Sequence, residues 1–204
     1  LNIVGGCCGT EPEHIASVCR AVRGLRPRVP EAENGGLLTV SGLEAYSIDR
    51  NVSFTNIGER TNVAGSRKFA RLIAGGQYEE ALQVAAAQIE GGANIIDINM
   101  DDAMLDSAVE MRTFLRYAAS DPAVAKAAVM IDSSHFETIV EGLRNAQGKC
   151  IVNSISLKDG EEEFLRRAAV VKSYGAAMVV MAFDEEGQAE TYQRKIDICA
   201  RCYR

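Results

Sequence analysis

The stretch AVMIDSSHFETIVEGLRNAQGKCIVNS, residues 128–154, decides the fold of this chain. It contains two short apolar runs, at 128–131 and 150–153, with a longer segment between them. That longer segment repeats its apolar residues at helical spacing, at Phe136, Ile139, Val140 and Leu143. A helix between two apolar runs predicts two parallel strands joined by a right-handed crossover, with both faces of the sheet covered.

The same alternation extends through most of the chain. Apolar runs at 54–58, 94–98 and 178–182 complete a set of five predicted strands, and amphipathic stretches follow them. This pattern predicts an α/β fold. Since a closed (β/α)8 barrel has eight units, we predict a partial TIM-type barrel of about five βα units and expect about three more units beyond residue 204. Residues 37–48 are predicted to form one or two short strands that lead into this domain.

The beginning of the chain has a different character. Residues 1–5 are apolar enough for the end of a buried strand, and a helix is predicted after Thr10, with Ile15, Val18, Cys19 and Val22 on one face. We therefore expect the last strand–helix unit of another barrel at 1–25. A segment rich in proline and glycine, 26–36, is predicted to be a linker, and the second domain spans 37–204.

Composition limits the classes of function. The chain has 204 residues, a net charge of -6 and a pI near 5.1, which argue against nucleic acid and anionic membranes as partners. No apolar run reaches the ~20 residues that span a bilayer. Three of the six cysteines lie in apolar periodic segments, which favours reduced thiols and a cytoplasmic location. These three are Cys19, Cys150 and Cys199.

Polar residues recur where the predicted strands end, and catalytic and binding residues of such folds gather there. They include Glu59, Asn62, Asp97, Asn99, Asp132 and Asn153. A carboxylate can accept two N–H bonds from the pyrimidinone edge of a pterin, and an amide can both accept and donate. Asp132 and Asn153 on neighbouring strands would suit such a ring. Alternatively, Asp132 caps the following helix or pairs with a neighbouring side chain.

Two further features allow two interpretations each. Cys7 and Cys8, between glycines, could both turn toward one zinc ion, or they could be an inert pair, because zinc needs at least one more ligand. Ser66 and Arg67 could be a helix N-cap followed by a solvated arginine, or they could meet the anionic tail of a ligand. Cys199 and Cys202 lie in a predicted helix without a second cysteine pair, so we assign them no function.

The motifs resemble those of the cobalamin-dependent methionine synthase family. The pterin-binding domain of that family is resembled by IGERTNVAGSRKF at 57–69, DINMD at 97–101, IDSS at 131–134, CIVNSIS at 150–156 and MAFDEEGQ at 181–188. The segment GGCCGT at 5–10 resembles the zinc motif of the family's homocysteine-binding barrel. The succession of these motifs along one chain is what singles out this family.

The resemblance implies a function for each motif. It implies that the chain is part of a methyltransferase that moves the methyl group of 5-methyltetrahydrofolate through cobalamin to homocysteine, giving methionine. Cys7 and Cys8 would be two of three zinc thiolates at the end of the homocysteine-binding domain. Five other residues would contact the folate, namely Gly65, Ser66, Arg67, Asp132 and Asn153. Cobalamin would be bound by a module outside this chain, and homocysteine would be a partner through the rest of the enzyme.

Other functions share parts of this pattern. A non-catalytic folate-binding or docking module would retain folate affinity without methyl transfer. A corrinoid-protein methyltetrahydrofolate methyltransferase has similar pterin motifs. Dihydropteroate synthase resembles them more faintly, and the cysteine pair argues against it because that enzyme needs no metal to activate a thiol.

Overall fold

The computed structural model describes residues 2–29 and 37–204. The chain divides into two compact units, Leu1–Gly36 and Leu37–Arg204. Within the described residues, every helix is too short or too polar to cross a membrane.

In residues 2–29, the described part of the first unit, there is one helix, α1 (Pro12–Val22). Asn2–Gly6 are exposed and have no regular secondary structure, so the strand predicted over 1–5 is wrong for the residues described. The physical reason is that the described part of this unit contains no second strand to share backbone hydrogen bonds. Residues 26–29 of the predicted linker are also irregular, and its remainder, 30–36, lies outside the described residues.

The start of α1 does not use Thr10 as its N-cap. Glu11 is the N-cap, and its backbone N–H donates to Nδ1 of His14 over 3.0 Å. The Thr10 hydroxyl instead accepts from the backbone N–H of Cys7 at 2.9 Å and closes the turn that carries the two cysteines. The apolar face of α1 is exposed to solvent among the described residues, since no residue of the helix is buried.

The second unit is built of alternating strands and helices. Its strands are β1 (Leu38–Ser41), β2 (Ala45–Ile48), β3 (Ile57–Asn62), β4 (Ile95–Asn99), β5 (Ala128–Asp132), β6 (Ile151–Ile155), β7 (Ala177–Val180), β8 (Phe183–Asp184) and β9 (Gly187–Gln188). Its helices are α2 (Arg67–Ala74), α3 (Tyr78–Glu90), α4 (Ser107–Ser120), α5 (Pro122–Ala125), α6 (Phe136–Asn145), α7 (Glu161–Ser173) and α8 (Tyr192–Tyr203).

The strands β3 to β7 form one parallel sheet in the order β3-β4-β5-β6-β7, so each strand pairs with the next in sequence. This is the α/β architecture that the alternation predicts, and it is consistent with part of a TIM-type barrel wall. The predicted strands at 94–98, 128–131, 150–153 and 178–182 are confirmed to within one or two residues at most ends.

The first strand of the sheet is displaced from its predicted position at 54–58. Phe54, which suggested an early start, is 79% exposed. Pairing with β4 begins at Ile57, opposite Ile95, and an irregularity lies between Gly58 and Thr61. There the backbone N–H of Arg60 donates to the side chain of Gln88 at 2.6 Å, which satisfies a donor that the ladder leaves free.

The two faces of the sheet have different coverings. The outer face, with Ile96, Ile98, Ile131 and Val152, packs against the helices in the main hydrophobic core. The inner face is covered at its amino end by the antiparallel β1–β2 hairpin, as Val40 contacts a small apolar cluster. The members contributed by the sheet are Ile95, Ala128, Met130 and Ile151. Farther along the same strands the inner face becomes polar, and this end carries the candidate site.

Candidate functional site

Four polar side chains lie side by side at the carboxyl ends of four adjacent strands. In the register of the sheet, Asn62 of β3 is opposite Asn99 of β4, Asn99 is opposite Asp132 of β5, and Asp132 is opposite Asn153 of β6. Residues paired in register point to the same face of a parallel sheet. We call these four residues the rim row. The predicted ligand residues Asp132 and Asn153 are therefore neighbours, and each is half-buried.

Asn99 holds the carboxylate of Asp132. Its Nδ2 donates to Oδ2 of Asp132 at 2.9 Å, while its Oδ1 accepts from the backbone N–H of Asp101 at 2.8 Å. These two bonds fix which end of the Asn99 amide faces Asp132. Because Asn99 is itself buried, its orientation is determined by the protein.

Asp101 connects this amide back to the strand that carries Asp132. Its carboxylate accepts hydrogen bonds from the hydroxyl of Ser133 at 2.6 Å and from the backbone N–H and hydroxyl of Ser134, each at 2.7 Å. Since Ser133 and Ser134 directly follow Asp132, the bonds form a closed circuit through Asn99 and Asp101. The sequence indicates no function for Asp101, because only the folded loop brings it to these serines.

This circuit, and not helix capping, engages the side chain of Ser134. His135 is the N-cap of α6, and the hydroxyl of Ser134 donates to Asp101. A charged acceptor forms a stronger hydrogen bond than a neutral one, which explains why the serine hydroxyl turns toward the carboxylate.

Asp97 lies on the same inner face, one layer below Asn99. Its side chain is buried, with 3% of its surface exposed, and its Oδ1 has no hydrogen-bond partner among residues 2–29 and 37–204. Burial, followed by repulsion from Asp132, raises the pKa of Asp97 to about 7, while a hydrogen bond from Asn153 opposes the rise and Glu59 adds to it. Asp97 therefore keeps its proton to higher pH than an ordinary aspartate does.

The two other carboxyl groups of the site respond differently to the same surroundings. Burial raises the pKa of Asp132; the bond from Asn99 opposes the rise, and the charges of Asp101 and Glu59 add to it. For Asp101, burial acts upward, but the hydrogen bonds from Ser133 and Ser134 outweigh it and lower the pKa. The site therefore keeps Asp101 ionised as a fixed acceptor, whereas Asp97 and Asp132 share a region that disfavours negative charge.

The predicted loop at Gly65, Ser66 and Arg67 follows β3 and begins α2. The side-chain oxygen of Asn62 accepts from the backbone N–H of Gly65 at 2.9 Å, so a member of the rim row fixes the loop. Ser66 is the N-cap of α2 and accepts from the backbone N–H of Phe69 at 3.3 Å. Arg67 is exposed, which leaves its guanidinium in solvent.

The cysteine pair belongs to the other compact unit. The Sγ atoms of Cys7 and Cys8 are 3.8 Å apart, and both residues are exposed. Two thiolates of one tetrahedral zinc ion would be separated by about 3.8 Å, given Zn–S bonds of about 2.3 Å. Hydrogen bonds from the backbone and the thiol of Cys8 lower the pKa of Cys7, as a metal ligand requires.

Two thiols alone are too few ligands for a zinc ion. Among residues 2–29 and 37–204, no three potential ligands from histidine, cysteine, aspartate and glutamate lie together. His14, the nearest histidine in sequence, uses its Nδ1 to accept from the backbone of Glu11. The geometry of the two thiols fits zinc, and the remaining ligands would have to come from outside the described residues.

Two protein-family models match the chain, one in each of its two compact units. The family model of pterin binding enzymes matches residues 58–204, which is most of the chain, and the chain belongs to that family. The family model of homocysteine S-methyltransferases matches residues 1–22. The two matches indicate a methyltransferase-type enzyme with a folate-related role, and their order along the chain fits a methionine synthase-type protein.

Proposed function

We propose that the rim row binds 5-methyltetrahydrofolate, and that the chain serves a cobalamin-dependent methionine synthase. The observation that carries the proposal is the adjacency of Asp132 and Asn153 at the polar end of the inner face, in a chain of the pterin binding enzyme family. An ionised Asp132 can accept two N–H bonds from the pyrimidinone edge of the ring. Its neighbour Asn153 can bond to the ring carbonyl beside those donors.

Asn99 explains why Asp132 is suited to this task. It uses one carboxylate oxygen of Asp132 and leaves the carboxylate partly exposed toward the rim. A carboxylate whose pKa is raised by burial is incompletely compensated in the ligand-free protein, so ligand N–H donors gain more from it than from a solvated carboxylate.

The folate tail is assigned to the loop after β3. The glutamate carboxylates of a folate are anionic, and Arg67 is an exposed cation at the beginning of α2, where Ser66 caps the helix. Gly65 has no side chain, and Asn62 anchors its backbone, so this loop can approach a ligand closely while staying in a fixed position.

Methyl transfer from N5 of the folate to a nucleophile breaks an N–C bond, and N5 must receive one proton to leave as a neutral amine. Asp132, which the Asn99 amide bonds at 2.9 Å, is the group of the rim row that can hold such a proton near the ring. We propose that the methyl acceptor is a reduced cobalamin, bound by a module outside this chain.

We propose that Cys7 and Cys8 are two zinc ligands of the homocysteine-binding part of the enzyme. Zinc bound there would lower the pKa of the homocysteine thiol and present a thiolate to the methyl group. The contribution of this chain is the turn itself, in which Thr10 accepts a bond from the backbone of Cys7 and keeps both thiols on one side.

Two measurements on the intact protein test the proposal, namely equilibrium binding of 5-methyltetrahydrofolate and single-turnover transfer of its methyl group to cob(I)alamin. Asn153→Ala should weaken binding by about 5- to 10-fold, the value of one hydrogen bond. The matched control is Asn51→Ala in an exposed turn, which should leave binding unchanged. Folate binding without methyl transfer would support a docking module, and absence of folate binding would overturn the assignment of the rim row.

A further inference from the structure

Strand β3 contains one more residue than β4 between two pairs of matched positions. Gly58 is opposite Ile96, and Thr61 is opposite Ile98. Two residues of β3 therefore face Asp97 alone. This is a β-bulge, an irregularity that often lies beside functional sites and redirects the side chains that follow it. The proposed function uses the residues after the bulge but gives no reason for the bulge itself.

The bulge determines which face of the sheet Asn62 occupies. Side chains alternate between the two faces, and a slip of one residue reverses them. Without the extra residue, Thr61 would be opposite Asn99, and Asn62 would point to the outer face. With it, Asn62 is opposite Asn99 on the inner face, while Thr61 pairs with Ile98 and is buried on the outer face. Asn62 is therefore a member of the rim row because of the bulge.

A side chain of α3 holds the bulge from the outer face. Oε1 of Gln88 accepts from the backbone N–H of Arg60 at 2.6 Å. Its Nε2 donates to the Thr61 hydroxyl at 3.4 Å and to the backbone oxygen of Val84 at 3.2 Å. The Thr61 hydroxyl in turn donates to the backbone oxygen of Asp97, the residue that faces the bulge. Both ends of the Gln88 amide are thus used, which fixes its orientation.

Gly58 leaves the space that this contact requires. A Cβ atom at position 58 would lie 2.6 Å from Oε1 of Gln88, which is closer than van der Waals contact allows. A larger residue there would push the Gln88 amide away from the backbone of Arg60. The sequence at the bulge therefore fits the side chain that approaches it from α3.

We propose that Gln88 is a positioning residue for folate binding, which acts from the outer face of the sheet through Asn62. The Asn62 side chain accepts from the backbone N–H of Gly65 at 2.9 Å, and its backbone oxygen accepts from that of Ser66 at 2.8 Å. By holding the bulge, Gln88 keeps Asn62 on the inner face and keeps the loop where Arg67 can meet the anionic tail of the folate. The effect on folate rests on the proposed function, whereas the link from Gln88 to the loop does not.

The first test needs no ligand. Gln88→Met keeps nearly the same side-chain length and removes the amide. Amide hydrogen exchange, followed by NMR in the intact protein, should become about 5- to 10-fold faster at Arg60, which loses its acceptor, and at Gly65, which bonds to Asn62. The matched control is Gln83→Met, exposed on the same helix, which should change neither rate. An unchanged rate at Gly65 would overturn the inference, because Gln88 would then support only the strand.

The second test follows the effect to the ligand, with 5-methyltetrahydrofolate as the probe. Gln88→Met should weaken its binding by about 5- to 10-fold, the value of one hydrogen bond. Because the effect passes through Asn62, adding Gln88→Met to Asn62→Ala should cause little further loss. Additive losses would overturn the inference. If exchange at Gly65 becomes faster in Gln88→Met but wild type binds no folate, only the proposed function fails.

Gly58→Ala tests the same contact by a different route and keeps the inference testable should Gln88→Met fail to fold. The substitution leaves every polar group in place, and its added Cβ atom displaces the Gln88 amide. It should therefore also speed hydrogen exchange at Gly65 and weaken folate binding. A folded Gly58→Ala protein in which Gly65 exchanges at the wild-type rate would contradict the inference.

Discussion

Replacing Asp132 with asparagine is the sharpest perturbation of the rim row. The substitution keeps the shape of the side chain and removes its charge. In the ligand-free protein the new amide can turn its oxygen toward Nδ2 of Asn99, which lies 2.9 Å from Oδ2 of Asp132, so the existing bond survives. The other end then presents N–H donors to the rim, where the ligand also presents N–H donors.

The magnitude follows from this conflict. Asp132→Asn loses at least one hydrogen bond to a charged acceptor, which corresponds to about 1.5–3 kcal/mol. Affinity for 5-methyltetrahydrofolate should fall by about 10- to 150-fold. The fold should not suffer, because burial raises the pKa of Asp132 and its ionised form is therefore a cost to the folded state at neutral pH. The melting temperature should stay the same or increase.

The assay is equilibrium binding by calorimetry or fluorescence in the intact protein, together with a thermal melt. Asp197→Asn serves as the control, because Asp197 is exposed on α8 and removes the same charge away from the sheet. Unchanged folate affinity in Asp132→Asn, with the fold intact, would refute the assignment of Asp132. A large drop in melting temperature would refute the electrostatic argument.

Three other perturbations test separate parts of the molecule. Cys7→Ser should abolish zinc retention in the intact protein, measured by metal analysis after dialysis, while folate affinity stays unchanged. The control is Cys19→Ser, on the exposed face of α1. Zinc retained by Cys7→Ser would exclude Cys7 as a ligand. Because Asp97 has its pKa raised from 3.8 to about 7, its stabilising effect should be lost as the pH rises from about 4 to about 7. Over that window, the unfolding free energy of wild type minus that of Asp97→Asn should fall by up to ~1.4 kcal/mol per pH unit. A value that stays constant with pH would disprove this. Gly142→Ala should destabilise the protein by about 1–3 kcal/mol in urea denaturation, since the added Cβ would lie 2.7 Å from Cγ2 of Ile131; a neutral or stabilising result would mean that the helical preference of alanine, ~1 kcal/mol, outweighs the clash.

The sheet was largely predictable because apolar periodicity is a local property of the sequence. The runs that became β4 and β5 are bounded by polar residues and flanked by amphipathic helices, so their positions follow from short windows. The start of β3 was predicted wrongly because a short window of sequence does not show which apolar residues are buried. Phe54 is apolar but exposed, and only the pairing partner Ile95 determines that the strand starts at Ile57.

The candidate site was predictable in its location but incomplete in its connections. Asp132 and Asn153 each follow an apolar run, which marks them as strand-end residues. Their adjacency then follows from parallel pairing. The contact between Asp101 and Ser134 spans more than thirty residues of chain and depends on the path of a loop, so no sequence spacing indicates it.

The strand expected at residues 1–5 shows a different limit. An apolar run predicts that residues are suited to a buried strand, but a strand also needs a neighbour that supplies backbone partners. The described residues of the first unit supply none, and Ile3 is 91% exposed. The match of residues 1–22 to the homocysteine S-methyltransferase model is a similarity of sequence and does not determine the local structure of this segment.

The hydrogen-bond circuit through Asn99, Asp101 and the serines after β5 has a kinetic consequence. Every bond in it is made within the protein, so the recognition surface is preorganised before any ligand arrives. Association should then be a one-step process, with an observed rate constant that increases linearly with ligand concentration in stopped-flow experiments. A plateau at high concentration would reveal a slow rearrangement that a rigid circuit does not allow.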